Sequence, residues 1–431
     1  MAAGTPSARG GSSGRGGRLR VVVLGLGYIG LPTAAVLAAH GAQVVGVDVD
    51  AGTVGAVNRG EVPFVEPDLS AGVAGAVSRG RLRAQTTVPG ADVFVVAVPT
   101  PLGADHGADL RHVDQAADAI APRLAGDELV VLESTAPPGT TRRLADRILA
   151  ARPDLSLDGS GQRPVVHVVH CPERVLPGRV MGELITNDRI IGGLTPEAAR
   201  RARDVYRTFC QGEILLTDAA TAELAKLVEN AYRDVNIAFA NEVALISAEL
   251  GVDGWELIEL ANRHPRVDIL RPGPGVGGHC IAVDPWFVVA AAPQQARLIR
   301  AARGVNDARP RAVVEDVVRR ARQFPRPRVA ALGLAFKPDI DDLRESPSVS
   351  IVAEVAARLP HATVAAVEPH VTELPPRLAD LRNVSLEPLA EAVAGADVVL
   401  LLVDHAQFRA ADPEALRLRD KVLVDTRGLW R

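Results

Sequence analysis

An apolar, β-branched run from Leu19 to Leu24 leads directly into Gly25-Leu-Gly27-Tyr-Ile-Gly30 and then into an alanine-rich segment. Glycines at the first, third and sixth places of such a turn serve three ends. They allow a tight reversal, the approach of a pyrophosphate to bare backbone, and close packing of the following helix on its strand. The next apolar run ends at Asp48, 18 residues after Gly30, where a carboxylate can hold ribose hydroxyls. An acid there disfavours a 2′-phosphate, so the pattern predicts NAD rather than NADP. It also commits the start of the chain to a strand, a phosphate-binding turn and a helix, the opening of a parallel α/β sheet.

The same alternation continues downstream. Strands are predicted at Val44 to Val47, Val93 to Val98, Leu129 to Leu132, Val165 to Val169, Arg189 to Ile191 and Ile214 to Leu216, which make one doubly wound domain over 19–217. From Asp218 to about Leu250 there is no Pro or Gly, and apolar residues recur at helical spacing through Leu224, Leu227, Val228, Ala231, Val235, Ala238 and Phe239. One helix of about 33 residues would span about 50 Å, more than a compact domain needs internally, so it is expected to join domains and to form a dimer core. A second helical run from Gln295 to about Gln323, broken by Pro310, completes a central region over 218–323. At Arg328 strands and helices resume, predicting a second doubly wound domain over 324–431. Its first turn, Gly333-Leu-Ala-Phe-Lys337, lacks the second and third glycines and so suits a nucleotide other than a dinucleotide. The expected fold class is α/β, two Rossmann-like doubly wound domains joined by a long central helix. Residues 1–18, rich in Gly, Ser, Ala and Arg without an apolar core, read as a disordered leader rather than a secretory signal.

Composition narrows the function. With 48 Lys plus Arg against 52 Asp plus Glu in 431 residues, the net charge of −4 lacks the basic excess that nucleic acid demands. No apolar run approaches the roughly 20 residues that cross a bilayer. Three cysteines, Cys171, Cys210 and Cys280, are too few for a disulfide framework and fit a reducing cytoplasm. Only Lys226, Lys337 and Lys421 are lysine. Against a background of arginine, each invites a reason, because a compact ammonium acts at a single point.

The chemistry gathers in a few places. Cys280 closes Pro272-Gly-Pro-Gly275-Val-Gly277-Gly278-His279-Cys280, too glycine-rich for a packed element and suited to presenting a nucleophile. Asp284, four residues on, can activate water for the breakdown of a covalent intermediate. Lys226, Asn230 and Arg233 share one face of the long helix and suggest anion binding. His264-Pro-Arg266 and Phe336-Lys337 add loop cations suited to phosphate. Thr100 and Thr135 follow strand ends, where they either line the cofactor crevice or cap helices. No residue is assigned to a metal.

These motifs, with Cys171-Pro-Glu173-Arg174-Val-Leu-Pro-Gly178 and Phe336-Lys337-Pro-Asp-Ile-Asp-Asp-Leu-Arg344-Glu-Ser-Pro347, resemble the nucleotide-sugar 6-dehydrogenase family over Leu19 to Arg431. Three further stretches, Arg233 to Glu242, Ala261 to Val267 and Ile281 to Phe287, are similar to members that oxidise UDP-N-acetyl-D-mannosamine; the glucosamine epimer is the alternative substrate. The resemblance implies two successive NAD-dependent oxidations at C6, through a thiohemiacetal and a thioester on Cys280, to a uronic acid for surface polysaccharide. It assigns catalysis to Cys280, Lys226, Asn230, Asp284, Glu173 and Thr135, and NAD contacts to Tyr28, Ile29, Asp48, Thr100, Thr135 and Arg344 beside the three fingerprint glycines. It assigns the UDP-sugar to Arg174, Val175, Lys226, Asn230, Arg233, His264, Arg266, Gly277, Phe336 and Lys337, and implies a homodimer through the central helix. A one-step hydroxy-acid dehydrogenase would not need Cys280, and a non-catalytic nucleotide-sugar or NAD binder would need neither Cys280 nor Lys226. Cys171 is expected to have no catalytic part.

Overall fold

A computed structural model describes residues 18–430 except Val65, Ala104, Asp105, Pro177 and His279. The leader predicted at 1–18 therefore lies, Arg18 aside, outside the described residues. The chain divides into two compact units: residues through Pro101 with Asp109–Glu223, and Leu102–Ala108 with Leu224–Arg431.

In the first unit the strands are β1 (Arg20–Leu24), β2 (Gln43–Val47), β3 (Leu82–Gln85), β4 (Val93–Val96), β5 (Leu129–Leu132), β6 (His167–His170), β7 (Arg189–Gly193) and β8 (Ile214–Asp218). They lie in the order β3-β2-β1-β4-β5-β6-β7-β8. Alternate residues of β1 serve opposite faces: Val21 and Val23 pack with the helix Gly30–Ala39, Val22 and Leu24 with the helices Arg111–Ile120 and Thr140–Ala151. Both faces are thus covered, as a sheet of continuous apolar strands requires. The winding reverses between β1 and β4, and in open α/β sheets the crevice at the carboxyl ends of such strands receives the ligand.

Neighbouring strands run parallel apart from β6 and β7, which pair antiparallel through Val169 with Gly193 and His170 with Gly192. The parallel, doubly wound sheet expected from the sequence is present, with this one antiparallel pairing added. The link after β6 doubles back, a path that only an antiparallel neighbour permits without a full crossover.

The second unit carries β9 (Arg328–Leu332), β10 (Thr363–Val367), β11 (Val384–Leu386), β12 (Val398–Leu401) and β13 (Val422–Asp425), all parallel in the order β11-β10-β9-β12-β13. Two strands were not foreseen, β3 and β11. Each is the outermost of its sheet and only three or four residues long, so neither needs a continuous apolar run.

The long helix spans Ala219–Leu250, its first residues in the first unit and the rest in the second. The helix Arg297–Ala321 runs unbroken through Pro310, against the break expected there. The missing N–H costs one helix hydrogen bond, while buried residues on either side, Arg303 and Asn306 before it and Val313 and Val314 after it, hold the helix in place. Among the described residues no helix is long and apolar enough to cross a membrane.

Candidate active site

In the first unit the three fingerprint glycines do different work. Gly25 adopts φ +89°, and a Cβ there would meet Ala97 O, just past β4, at 2.5 Å. A Cβ on Gly30 would lie 1.9 Å from Gly25 O, so the helix starts hard against its turn. A Cβ on Gly27 would meet nothing within 4 Å, which leaves the middle of the loop open to a ligand at the helix N-terminus. Asp48 accepts hydrogen bonds from Leu26 N at 2.8 Å and Asp50 N at 3.0 Å, which fixes its carboxylate at the mouth of the turn. Tyr28 stacks on Phe64 with centroids 4.2 Å apart, and Ile29 is the residue before the helix. Neither threonine caps a helix: Thr100 Oγ1 donates to Thr135 O at 2.6 Å and ties the ends of β4 and β5 together, while the following helices have Leu110 and Gly139 before them.

Behind these strand ends lies a buried polar cluster. Glu173 Oε2 accepts from Arg189 Nη1 at 3.2 Å and Glu173 Oε1 from Arg174 N at 2.7 Å. The Arg189 guanidinium also lies 4.9 Å over the Tyr206 ring. Glu133 accepts from Thr33 Oγ1 at 3.0 Å and Tyr206 Oη at 3.2 Å, and burial, with the nearby charge of Glu173, pushes its carboxyl up to about 8. Burial pushes the Cys171 thiol up to about 12, so it stays protonated and inert. Arg174 donates to Asp188 O, and Val175 packs on the core just past Glu173.

In the second unit the long helix sorts its residues by face. At about 100° per residue, Lys226, Asn230, Asp234 and Asn241 fall within an arc of about 80°. Asn230 Nδ2 donates to Asp284 Oδ2 at 2.5 Å. Asp284 is the buried first residue of the helix Asp284–Ala291, and its backbone N–H donates to Cys280 O at 2.9 Å. One turn therefore carries both the thiol and the acid. Burial drives the Asp284 carboxyl up to about 6, opposed by the Lys226 charge and the Asn230 hydrogen bond. Cys280 is exposed to solvent while Cys171 and Cys210 are buried. The protein crowded around its sulfur and the Asp284 charge raise the thiol, while Lys226 and Arg344 pull it down.

The loop before Cys280 is held from below. Gly273 N donates to Asn241 Oδ1 at 2.9 Å, Asn241 Nδ2 to Asn306 Oδ1 at 2.9 Å, and Asn306 Nδ2 to Asp234 Oδ1 at 2.8 Å; Arg303 pairs with the same Asp234 oxygen. Gly277 and Gly278 let Phe336 close over the loop, since a Cβ on either would stand 3.0 Å from that side chain. Lys337 follows on the same segment. Arg344, which pairs with Asp342 at 2.6 Å, extends its charge to Cys280. Arg233 is exposed, and His264 and Arg266 lie exposed on a separate loop closed by Asn262 with Ile269. In the second sheet, Gly333 at φ +92° mirrors Gly25, but there the strand-end acid Glu368 is buried and accepts from Leu334 N and Ala335 N. That turn has a buried alanine, Ala335, in place of the second glycine, and its acid is buried where Asp48 is half-buried.

Sequence patterns of known families match this architecture in three parts. The NAD binding domain of the UDP-glucose/GDP-mannose dehydrogenase family matches residues 19–210, its central domain 220–308 and its UDP binding domain 330–431. The chain belongs to the UDP-glucose/GDP-mannose dehydrogenase family. The NDP-N-acetyl-D-galactosaminuronic acid dehydrogenase of Ralstonia nicotianae is 54% identical over 95% of this chain and 96% of its own. The UDP-N-acetyl-D-mannosamine dehydrogenase of Escherichia coli is 51% identical over 95% and 99%. The solved UDP-D-ManNAc dehydrogenase of Pyrococcus horikoshii superposes with a TM-score of 0.84 at 36% identity, covering 96% of each chain. This member of the family is an NAD-dependent nucleotide-sugar dehydrogenase, and the open Gly27 loop beside Asp48 fits that cofactor.

Sequence reasoning missed the supports. Glu133, Tyr206 and Arg189 behind Glu173, and Asp234, Asn241 and Asn306 beneath the loop, act through contacts between distant positions. The surplus of buried polar residues in otherwise apolar runs was their one signal.

Proposed function

We propose that this protein oxidises the C6 hydroxymethyl of UDP-N-acetyl-D-mannosamine to the carboxylate of UDP-N-acetyl-D-mannosaminuronate, a four-electron change, in the cytoplasm and for surface polysaccharide. The observation that carries the reading is the exposed Cys280 on one turn with a buried, Asn230-bonded Asp284, under the charge of Lys226. The E. coli relative's name supports the sugar.

Gly25, Gly27, Tyr28, Ile29, Gly30 and Asp48 would hold the cofactor, with Thr100, Thr135 and Arg344 beside it. NAD bound there would accept one hydride at a time, so two NAD would be reduced per sugar, the first by the alcohol and the second by the thiohemiacetal. Lys226 stabilises the charge that develops on the C6 oxygen as the hydroxyl proton passes to water, because an ammonium stabilises an alkoxide in a partly dehydrated site. Cys280 Sγ then bonds to the aldehyde carbon, and the thiol proton passes to the carbonyl oxygen, which becomes a hydroxyl. After the second oxidation the C6–S bond is a thioester. Asp284, oriented by Asn230, takes a proton from water as its oxygen attacks C6, and the C6–S bond breaks to free the acid and the thiol. Glu173, held by Arg189, and Thr135 stand near the reacting carbon in this reading. Arg174, Val175, Arg233, His264, Arg266, Gly277, Phe336 and Lys337 hold the nucleotide sugar.

The 54% identity to the Ralstonia protein favours a second reading, in which the sugar is the galactosamine isomer. NADH formed per limiting sugar separates them, with the mannosamine, galactosamine and glucosamine compounds run in parallel. Two NADH per UDP-N-acetylmannosamine and little with the others is expected. Two with another isomer overturns the substrate and keeps the chemistry; one or none with all three overturns the chemistry.

The working unit is a homodimer in this reading. Opposite the Lys226 face, Leu224, Val228, Tyr232, Phe239, Ile246 and Leu250 lie within about 80° of arc, each at least 40% exposed. An apolar seam of this length is covered in stable proteins, and spacings of four and seven residues suit a second copy of the same helix. The double variant Tyr232→Asp/Phe239→Asp should sediment at half the mass of the parent, while an unchanged mass would place the interface elsewhere.

A further inference from the structure

Segment 336–346 carries Phe336, Lys337 and Arg344; it is closed within itself by Phe336 N donating to Asp342 O at 3.3 Å and is held from outside at Asp339. Two of its non-glycine residues adopt left-handed backbone, Asp339 at φ +62° and Glu345 at φ +51°. Such residues persist only where outside contacts fix them. The contacts on Asp339 come from the stretch after β12. Asp339 N donates to His405 Nδ1 at 3.0 Å, Asp339 Oδ1 accepts from Ala406 N at 2.6 Å, and Asp339 Oδ2 accepts from Arg409 Nη2 at 2.7 Å.

His405 is fully buried, and its two nitrogens have fixed roles. An N–H can only donate, so Nδ1 is the acceptor and the ring proton sits on Nε2, which gives it to the buried carboxylate of Glu368 at 3.1 Å. Glu368 in turn fixes the Gly333 turn through Leu334 N and Ala335 N. A ligand atom of His405 lies within 4.8 Å of ligand atoms on Asp339 and His370, a grouping that could suggest a cation. Because both ring nitrogens are already engaged, the cluster works as a clamp.

We infer that His405 is a positioning residue: by joining the Asp339 backbone to Glu368 it clamps segment 336–346 and thereby sets the affinity for the nucleotide sugar. The consequence for affinity rests on the function proposed above; the clamp itself does not. Two substitutions split the two nitrogens. In His405→Asn the amide oxygen can replace Nδ1 as acceptor for Asp339, while Glu368 keeps its backbone donors. In His405→Gln the amide nitrogen can replace Nε2, and Asp339 N is left without its acceptor.

Losing that one buried acceptor should raise the KM for the UDP-sugar about tenfold in His405→Gln with kcat within about twofold, whereas His405→Asn should stay within about threefold of the parent KM. Amide exchange across 336–346, measured without substrate, should quicken in the Gln variant and not in the Asn variant. A side chain that merely filled space would show the reverse order, since Gln is the larger. Should the Gln variant not fold, Arg409→Ala, which removes an exposed clamp on the same aspartate, should still quicken exchange in the segment. Unchanged exchange in every folded variant, or equal effects of Asn and Gln, overturns the clamp. Quickened exchange in an enzyme whose parent oxidises no UDP-sugar keeps the clamp and removes the function.

Discussion

Cys280→Ala should abolish formation of the uronic acid, with steady NADH production down on the order of a thousandfold or more. An alcohol can lose one hydride without a covalent partner, but the aldehyde it becomes has no second hydride to give until a nucleophile adds to C6. Cys280 is the exposed thiol, and Cys171 is held protonated by burial, so no second sulfur can substitute. The single variant therefore separates one oxidation from two. Run with an aldehyde-trapping hydrazine, it should release at most one NADH per sugar and no acid. Full turnover to acid would show that the thioester is not on the path and that the second hydride leaves a hydrated aldehyde instead.

How far such a prediction could be drawn without coordinates depends on how local its parts are. Gly25 to Gly30 and Asp48 speak through short spacing within one strand, turn and helix, and the structure gives each glycine a distinct steric reason. Lys226 stood out as a rare residue type, and Asn230 one helical turn further on lies close to Asp284, a pairing 54 residues apart that no spacing rule supplies. The outer strands β3 and β11 were silent because an edge strand of a few residues needs no apolar run. Pro310 misled, since its sequence context shows the missing N–H but not the burial of the helix on both sides of it. The antiparallel entry of β7 was hidden for a similar reason: strand direction depends on the path of the connection, not on the composition of the strand. His405 and Glu368, 37 residues apart, read as ordinary loop residues until the second sheet sets them side by side.

Asp284→Asn should lower turnover by roughly a hundred- to a thousandfold, the usual scale for loss of a positioned general base. The sign of its pH dependence follows from the raised carboxyl. Asp284 must be ionised to take a proton from water, and with burial holding it near 6 the parent enzyme should lose activity as pH falls through that value; the variant should lose the limb. A second measurement decides what the acid does. The Asp284 charge raises the Cys280 thiol, so removing it should increase the thiolate fraction and make Cys280 alkylate faster at neutral pH, even as turnover collapses. If Asp284 instead acted by drawing the proton from Cys280, alkylation would slow together with turnover. Faster labelling in a dead enzyme assigns the acid to hydrolysis of the thioester; slower labelling assigns it to making the nucleophile.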